Sequence, residues 1–532
     1  MVSLHSTGHK RGVVCAPHAK AVADGQEVLR AGGNALEAMI AMAASIAVVY
    51  PHMNHIGGDG FWLVREPDGN VVALMGAGPA GSKASIDFYR SRGLNSIPAR
   101  GPLAALTVPA AISAWMLALE LSKKHGGKIS LSSLLSPAVK HARDGYVVSK
   151  SQHSLTRDKL PEMTEAKGFH DTFLVNGEIP DVGMQLKQTA LANTLERLGQ
   201  AGLQDFYTGE IAREIAADLE NIGSPVTLDD LLKQTALHTK PLRTELRCGT
   251  LYNSPPPTQG LASLILLGLF DRLDVKEPET FEFIHAHVEA TKRAFLVRDR
   301  IVCDPARITA DINSFLSSSF LDRDVLNIQA DRAAPWPQPA AKGDTIWMGA
   351  ADASGLVVSY IQSIYWEFGS GCVLPRTGIL MQNRGASFSL DESALNSLAP
   401  GRLPFHTLNP ALAALNDGRT IAFGTMGGEG QPQTQAAIFS RHVLFGQSLG
   451  AAIAAPRWLL GRTWGSVHTN LRCEARFDPA VIQRMASAGH DIEVIADDYS
   501  DTMGHAGAVV LHGNKTLEGA HDPRADGGAA GC

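Results

Sequence analysis

Of the side chains that could do chemistry, Thr345 has the most telling position. It follows Ala333 to Gly343, a run whose Pro and Ala content predicts an extended, exposed segment, and it opens Thr345 to Ala351, which reads as a strand. A threonine hydroxyl is a poor nucleophile until a base takes its proton. An N-terminal threonine carries that base in its own α-amine, whose ordinary pKa of about 7.7–8.0 lies close to operating pH. The amine exists only after the Asp344–Thr345 bond is cut. Attack of the Thr345 hydroxyl on the Asp344 carbonyl, an N-to-O acyl shift and hydrolysis would cut it. An isolated Asp-Thr pair is more often the start of a strand in a surface loop, so the surrounding residues must decide. Metal chemistry has less support. His285, His287 and Glu289 share a helical stretch, but positions i and i+2 point to different faces, and His52 and His55 lack a third ligand. No metal and no cofactor is expected.

The elements around Thr345 alternate. His18 to Arg30 has helical spacing and stops at Gly32-Gly33, and Asn34 caps a second, very apolar helix through Val49. A glycine loop, His55 to Gly60, leads into a strand pair, Phe61 to Arg65 and Val71 to Met75, turning at Asp68-Gly69. Pro109 opens another helix. The middle third is largely helical, interrupted by the rigid turn Ser254-Pro255-Pro256-Pro257. After Thr345 a second strand, Leu356 to Ser363, follows a turn at Asp352 to Gly355, a hairpin signal. The chain thus reads as a helix-rich part, 1–344, and a sheet-rich part, 345–532, with no linker that divides it into independent domains.

Composition narrows the class. With 45% hydrophobic and 19% charged residues this is an ordinary globular chain, and a net charge of -6 argues against nucleic acid and anionic membrane as partners. The six cysteines form no C-x-x-C pair and are expected to be free thiols. The first residues show no apolar signal region, and Ala35 to Tyr50 contains Glu37 and is short for a bilayer. A cytoplasmic protein without a membrane span is the expectation.

Gly343-Asp344-Thr345, the hairpin after it and Phe368-Gly369-Ser370-Gly371 together resemble the processing site of the gamma-glutamyltransferase family. Further matches follow in order: Ala31 to Ala35, Ile56-Gly57-Gly58, Pro255-Pro256-Pro257, Thr377-Gly378-Ile379, Met426-Gly427-Gly428 and Asp522-Pro523-Arg524. The resemblance implies an N-terminal nucleophile hydrolase fold: a four-layer α/β/β/α sandwich with two antiparallel sheets between helix layers. It implies self-cleavage into a large chain, 1–344, and a small chain, 345–532, interleaved in one structural domain. The two would form a heterodimer, with a dimer of heterodimers left open. In this family a hydroxyl residue orients the nucleophile, here Ser363, and a glycine pair supplies oxyanion donors, here Gly427 and Gly428. Glycine there lets the backbone approach the carbon under attack.

The head-group positions depart from the family pattern. The arginine expected before the Ala-Pro turn is Met75, and the acid that takes an α-amine is Ser387, in Gln382-Asn383-Arg384-Gly385-Ala386-Ser387. The serine pair becomes His406-Thr407, and the asparagine two past Ser363 becomes Tyr365. Losing both charges removes the strong contacts to an amino-acid head group. Arg384 is a new cation, suited to a carboxylate beside the scissile amide, as in oxamate. Ser363 to Gly369, Pro404 to Pro410 and Gly427 to Gln433 resemble the oxamate amidohydrolase branch of the family, which acts late in purine degradation. Arg384, Asn383, Ser387, His406, Thr407 and Tyr365 are therefore the candidate contacts to a small-molecule amide. A gamma-glutamyltransferase or glutathione hydrolase is the alternative, and an uncleaved, non-catalytic relic the remote one.

Overall fold

Alternation along the central strands sends their side chains to two different cores. On the strand Asp59–Arg65, Trp62 and Val64 face a helical layer, whereas Phe61 and Leu63 face a second sheet. On Asp344–Asp352, Ile346, Met348 and Ala350 face the helices, and Trp347 and Ala351 the other sheet. The same parity on Asp59–Arg65 and Val357–Tyr365 turns Asp59 and Ser363 toward the space between the sheets.

In this computed structural model, which describes residues 2–336, 344–461 and 469–532 and of Asp344 only the backbone, two seven-stranded antiparallel sheets lie between helices. The first sheet runs Gly528–Gly531, Gly12–Ala16, Asp344–Asp352, Val357–Tyr365, Asp59–Arg65, Val71–Gly76, Leu237–Thr239. The second runs His5–His9, Leu517–His521, Ala506–Leu511, Thr420–Thr425, Ala411–Leu415, Gly249–Asn253, Leu242–Leu246. The helix Ala35–Val49 is buried along its whole length beneath the first sheet, and Gly260–Phe270 with Phe281–Ile301 covers the second. The result is the expected four-layer α/β/β/α sandwich. No helix among the described residues is long and apolar enough to cross a membrane.

Local chemistry explains the elements nearest the site. Asn34 caps its helix with a full capping box, its side chain accepting from Glu37 N while Glu37 accepts from Asn34 N. Trp347 fills the inter-sheet core two residues after Thr345. Its indole N–H donates to Ser359 Oγ at 2.9 Å. A Cβ on Gly424 of the facing sheet would lie 2.1 Å from the Trp347 ring, so only glycine admits it. This wedge fixes the nucleophile strand against Thr420–Thr425, the strand that leads into Gly427-Gly428. Emptying it would cost about 3–5 kcal/mol.

Several boundaries differ from the sequence reading. Asp59 and Gly60 belong to the strand rather than to the loop before it, and the helix after Pro109 starts at Ala111. Of Ala333 to Gly343, the part from 337 lies outside the described residues.

Candidate functional site

Thr345 lies at an irregularity. Asp344 pairs with Tyr365 but Ile346 pairs with Gln362, so the ladder slips at Thr345. Such a bulge re-aims a side chain. The Thr345 hydroxyl donates to Ser363 Oγ at 3.2 Å, and the backbone N–H of Tyr365 donates to the same oxygen at 2.9 Å. Tyr365 has φ 82, a left-handed conformation that a bulky residue keeps only at a cost of order 1–3 kcal/mol. The strained backbone is thus directly across from Asp344, the residue that precedes the nucleophile.

Arg384 completes the cluster. Its guanidinium lies 3.4 Å from Ser363 Oγ and 3.4 Å from Thr407 Oγ1, and 4.0 Å from the centroid of the Tyr365 ring. Thr345, Ser363, Arg384, His406 and Thr407 are all fully buried. Burial lowers the Arg384 pKa to about 10, against the opposing pull of Tyr365 and Asp59, so it stays a cation at neutral pH. Burial, and then Arg384, holds the His406 imidazole well below its ordinary value, so it is neutral there.

The turn after Thr420–Thr425 carries Gly427 at φ 111 and Gly428 at φ 52, conformations that favour glycine. Among the described residues, no acceptor is paired with the N–H of either glycine. The turn is tied to the cluster through Gln259, whose side-chain amide donates to Gly428 O and to Thr407 O, both at 2.7 Å. Buried Arg298 in turn donates to Gln259 Oε1 at 3.1 Å and to Glu429 at 2.8 Å. A continuous set of contacts therefore runs from Gly428 through Gln259, Thr407, Arg384 and Ser363 to Thr345.

A hydroxyl on a strand, a loop-borne cation and a turn whose two glycine N–H groups have no acceptor among the described residues are parts that acyl transfer from an amide can use. The gamma-glutamyltranspeptidase family model matches residues 21–532. The chain belongs to the gamma-glutamyltranspeptidase family. Within its relatives, it is 49% identical to the oxamate amidohydrolase proenzyme of Klebsiella pneumoniae, over 99% of this chain and 100% of that protein. It is 38% identical to the glutathione hydrolase-like YwrD proenzyme of Bacillus subtilis, over 98% of both. Among solved structures, the cephalosporin acylase from Bacillus halodurans superposes with TM-score 0.91 at 30% identity, covering 100% of this chain and 97% of that one.

Not every candidate of this gamma-glutamyltranspeptidase-family chain joins the cluster. Asn383 spends its amide on the scaffold, accepting from Trp366 N at 3.1 Å and donating to Ala99 O at 2.8 Å. The Ser387 hydroxyl has no hydrogen-bond partner and no bond to Arg384 among the described residues. Met75 packs in the inter-sheet core with Phe61. Asp59 was missed as a site residue. It pairs directly across from Ser363, is fully buried, and lies 3.7 Å from His406 Nε2. The signal was an acid set between glycines at the start of an apolar strand. The scaffold pair Gln259 and Arg298 left no signal of its own.

On the helix Phe281–Ile301, positions i and i+2 point apart as expected, and positions i and i+4 come together. His287 turns away to Ser440, but His285 and Glu289, one turn apart, gather with His490 so that their ligand atoms lie within 4.8 Å. Each already has partners: His285 bonds His490 at 2.8 Å and Gln329 O at 2.7 Å, and Glu289 pairs with Lys292 at 2.7 Å. The Lys292 ammonium occupies the place of a cation beside that carboxylate. His52 and His55 are likewise engaged, with Ser151 and the Leu380 N–H.

Proposed function

We propose that the chain is a self-processing amidohydrolase that converts oxamate and water into oxalate and ammonia. The observation that carries this is the buried Arg384 guanidinium, 3.4 Å from the hydroxyl that accepts from Thr345. A cation so close to the nucleophile suits a carboxylate bonded directly to the carbonyl under attack, and oxamate is the smallest such amide. The similarity to the Klebsiella protein supports the same substrate.

Cleavage of Asp344–Thr345 leaves a large chain, 1–344, and a small chain, 345–532, which stay together because both contribute strands to each sheet. The freed α-amine takes the Thr345 hydroxyl proton as the oxygen attacks the amide carbon. Ser363 orients the hydroxyl, and Arg384, with Thr407 and Tyr365 beside it, holds the substrate carboxylate. The Gly427 and Gly428 N–H groups receive the oxyanion. Collapse expels ammonia, with the proton returned from the amine, and leaves an oxalyl ester on Thr345. Water, activated by the same amine, releases oxalate. Asn383 and Ser387 shape the loop that carries Arg384. The six free thiols suit a cytoplasmic enzyme, and oxamate places it late in purine degradation. An ammonia-release assay against a panel of small amides tests the reading. It predicts oxamate as the preferred substrate, and turnover of gamma-glutamyl anilides, followed by release of the aniline chromophore, faster than that of oxamate would overturn it.

A further inference from the structure

Asp59 has no part in the chemistry above, yet it pairs across from Ser363, lies 3.7 Å from His406 Nε2 and feels the charge of Arg384. Its Oδ1 accepts from Gly78 N at 2.9 Å and Gln382 Nε2 at 3.1 Å. Its Oδ2 is buried without a hydrogen-bond partner among the described residues and points at His406 Nε2, 3.7 Å away. Neither His406 ring nitrogen has a hydrogen-bond partner among the described residues either, and the Arg384 Nε is in the same condition. Buried polar atoms without partners, gathered in one place, mark a site that expects a ligand.

The charges facing Asp59 can be counted element by element. Arg384 comes from the loop after Gln382, His406 from the segment before Ala411–Leu415, Tyr360 from the strand of Ser363 and Tyr207 from a helix on the far side. Burial raises both phenols above their ordinary range, so they are neutral, as is His406. Glu429, beyond Tyr365, is ion-paired with Arg298. Among these groups Asp59 is therefore the counter-charge to Arg384. Burial nonetheless pushes the Asp59 carboxyl up to about 7, against Arg384, Gly78 and Gln382.

We propose that Asp59 is a specificity-determining residue that takes up a proton from solvent when a substrate carboxylate docks on Arg384. The inference rests on the role given to Arg384 under the proposed function. A docked carboxylate gives Arg384 a direct ion-pair partner and leaves Asp59 as a second anion in a buried space, where like charges disfavour ionisation. Protonated on Oδ2, Asp59 donates to His406 or to the ligand. A ligand with an ammonium beside its carboxylate would instead keep Asp59 ionised. The Arg384–Asp59 pair thus separates simple 2-oxo acids and amides from amino acids, and favours the former as pH falls.

Calorimetry on the self-cleaved protein tests this with pyruvate, a shape match for oxamate that has no amide to hydrolyse and is a monoanion throughout the range used, after borohydride trapping and mass spectrometry have shown that it forms no imine with the Thr345 α-amine. Titrations at pH 8 in two buffers of different ionisation enthalpy count the protons exchanged. The expected result is uptake of about one proton per pyruvate, with affinity falling about tenfold per pH unit above pH 7. Asp59→Asn keeps an Oδ1 acceptor for Gly78 and Gln382, and should bind with no uptake and no such slope. Pyruvate binding without proton uptake in the wild type would overturn the role of Asp59 and leave Arg384 standing. No binding of pyruvate together with no hydrolysis of oxamate would overturn both. Uptake that persists undiminished in Asp59→Asn would assign the proton to the Thr345 α-amine, whose ordinary pKa of about 7.7–8.0 lies in the same range, and would overturn the role of Asp59.

Discussion

The Thr345 hydroxyl donates to Ser363 Oγ across 3.2 Å, joining two strands at a slip in their pairing. Ser363 also accepts from Tyr365 N–H and lies within reach of Arg384, so one small side chain joins the nucleophile, a strained backbone and the cation.

Ser363→Ala should therefore damage two steps. A net hydrogen bond is worth about 0.5–1.5 kcal/mol and one to a charged group about 1.5–3 kcal/mol. Self-cleavage should slow several-fold on a gel time course. In the cleaved fraction, kcat/KM should fall about 10- to 150-fold. Unchanged rates of both would remove Ser363 from the machinery.

Arg384→Gln should spare cleavage and weaken substrate. Loss of a charge-assisted contact predicts a KM for oxamate raised about 10- to 150-fold, with kcat little changed if the contact is equal before and at the transition state. A fully cleaved variant with the wild-type KM would contradict this. Because burial lowers the Arg384 pKa to about 10, the wild-type KM should also rise as pH climbs toward that value and the cation is lost.

Asp522 gives a prediction about stability. It is fully buried between Arg457, at 2.6 Å, and Arg524, at 3.0 Å. Burial alone would raise its carboxyl, but the two guanidiniums outweigh that and hold it well below the usual range. A carboxyl depressed in the folded state stabilises above its unfolded pKa of about 3.9 and loses that contribution as pH falls further. Urea midpoints should therefore drop below about pH 4. Asp522→Asn, which takes from buried Arg457 its carboxylate partner while Arg524 keeps Glu474 at 2.6 Å, should cost about 3–5 kcal/mol at pH 7. A variant as stable as wild type at pH 7 would show that the cluster contributes nothing.

The architecture, and Thr345 as the candidate nucleophile, are legible because both leave local marks. The Asn34 cap, the hairpin turn at Asp352 to Gly355 and the strand parity that turns Ser363 inward are all short-range patterns. Arg384 was legible as a charge where the family pattern has none. What the sequence hides is convergence. Asp59 is more than 300 residues from His406, and nothing local announces that Phe61 parity carries it to the same space. Gln259 is an unremarkable helix-start residue whose role depends on holding two carbonyls from different loops. His285 and Glu289 looked separate while only the i, i+2 pair was considered, and their meeting point, His490, comes from the other end of the chain.

The central claim is that Thr345 acts only as a new N-terminus. N-terminal sequencing of the purified protein, alongside an ammonia assay on the same sample, tests it most directly. Two fragments should appear, the smaller beginning Thr-Ile-Trp-Met, with activity in proportion to the cleaved fraction. Thr345→Ala should remain one inactive chain. Full activity from an uncut wild-type chain would contradict the account, because the base it relies on would not exist.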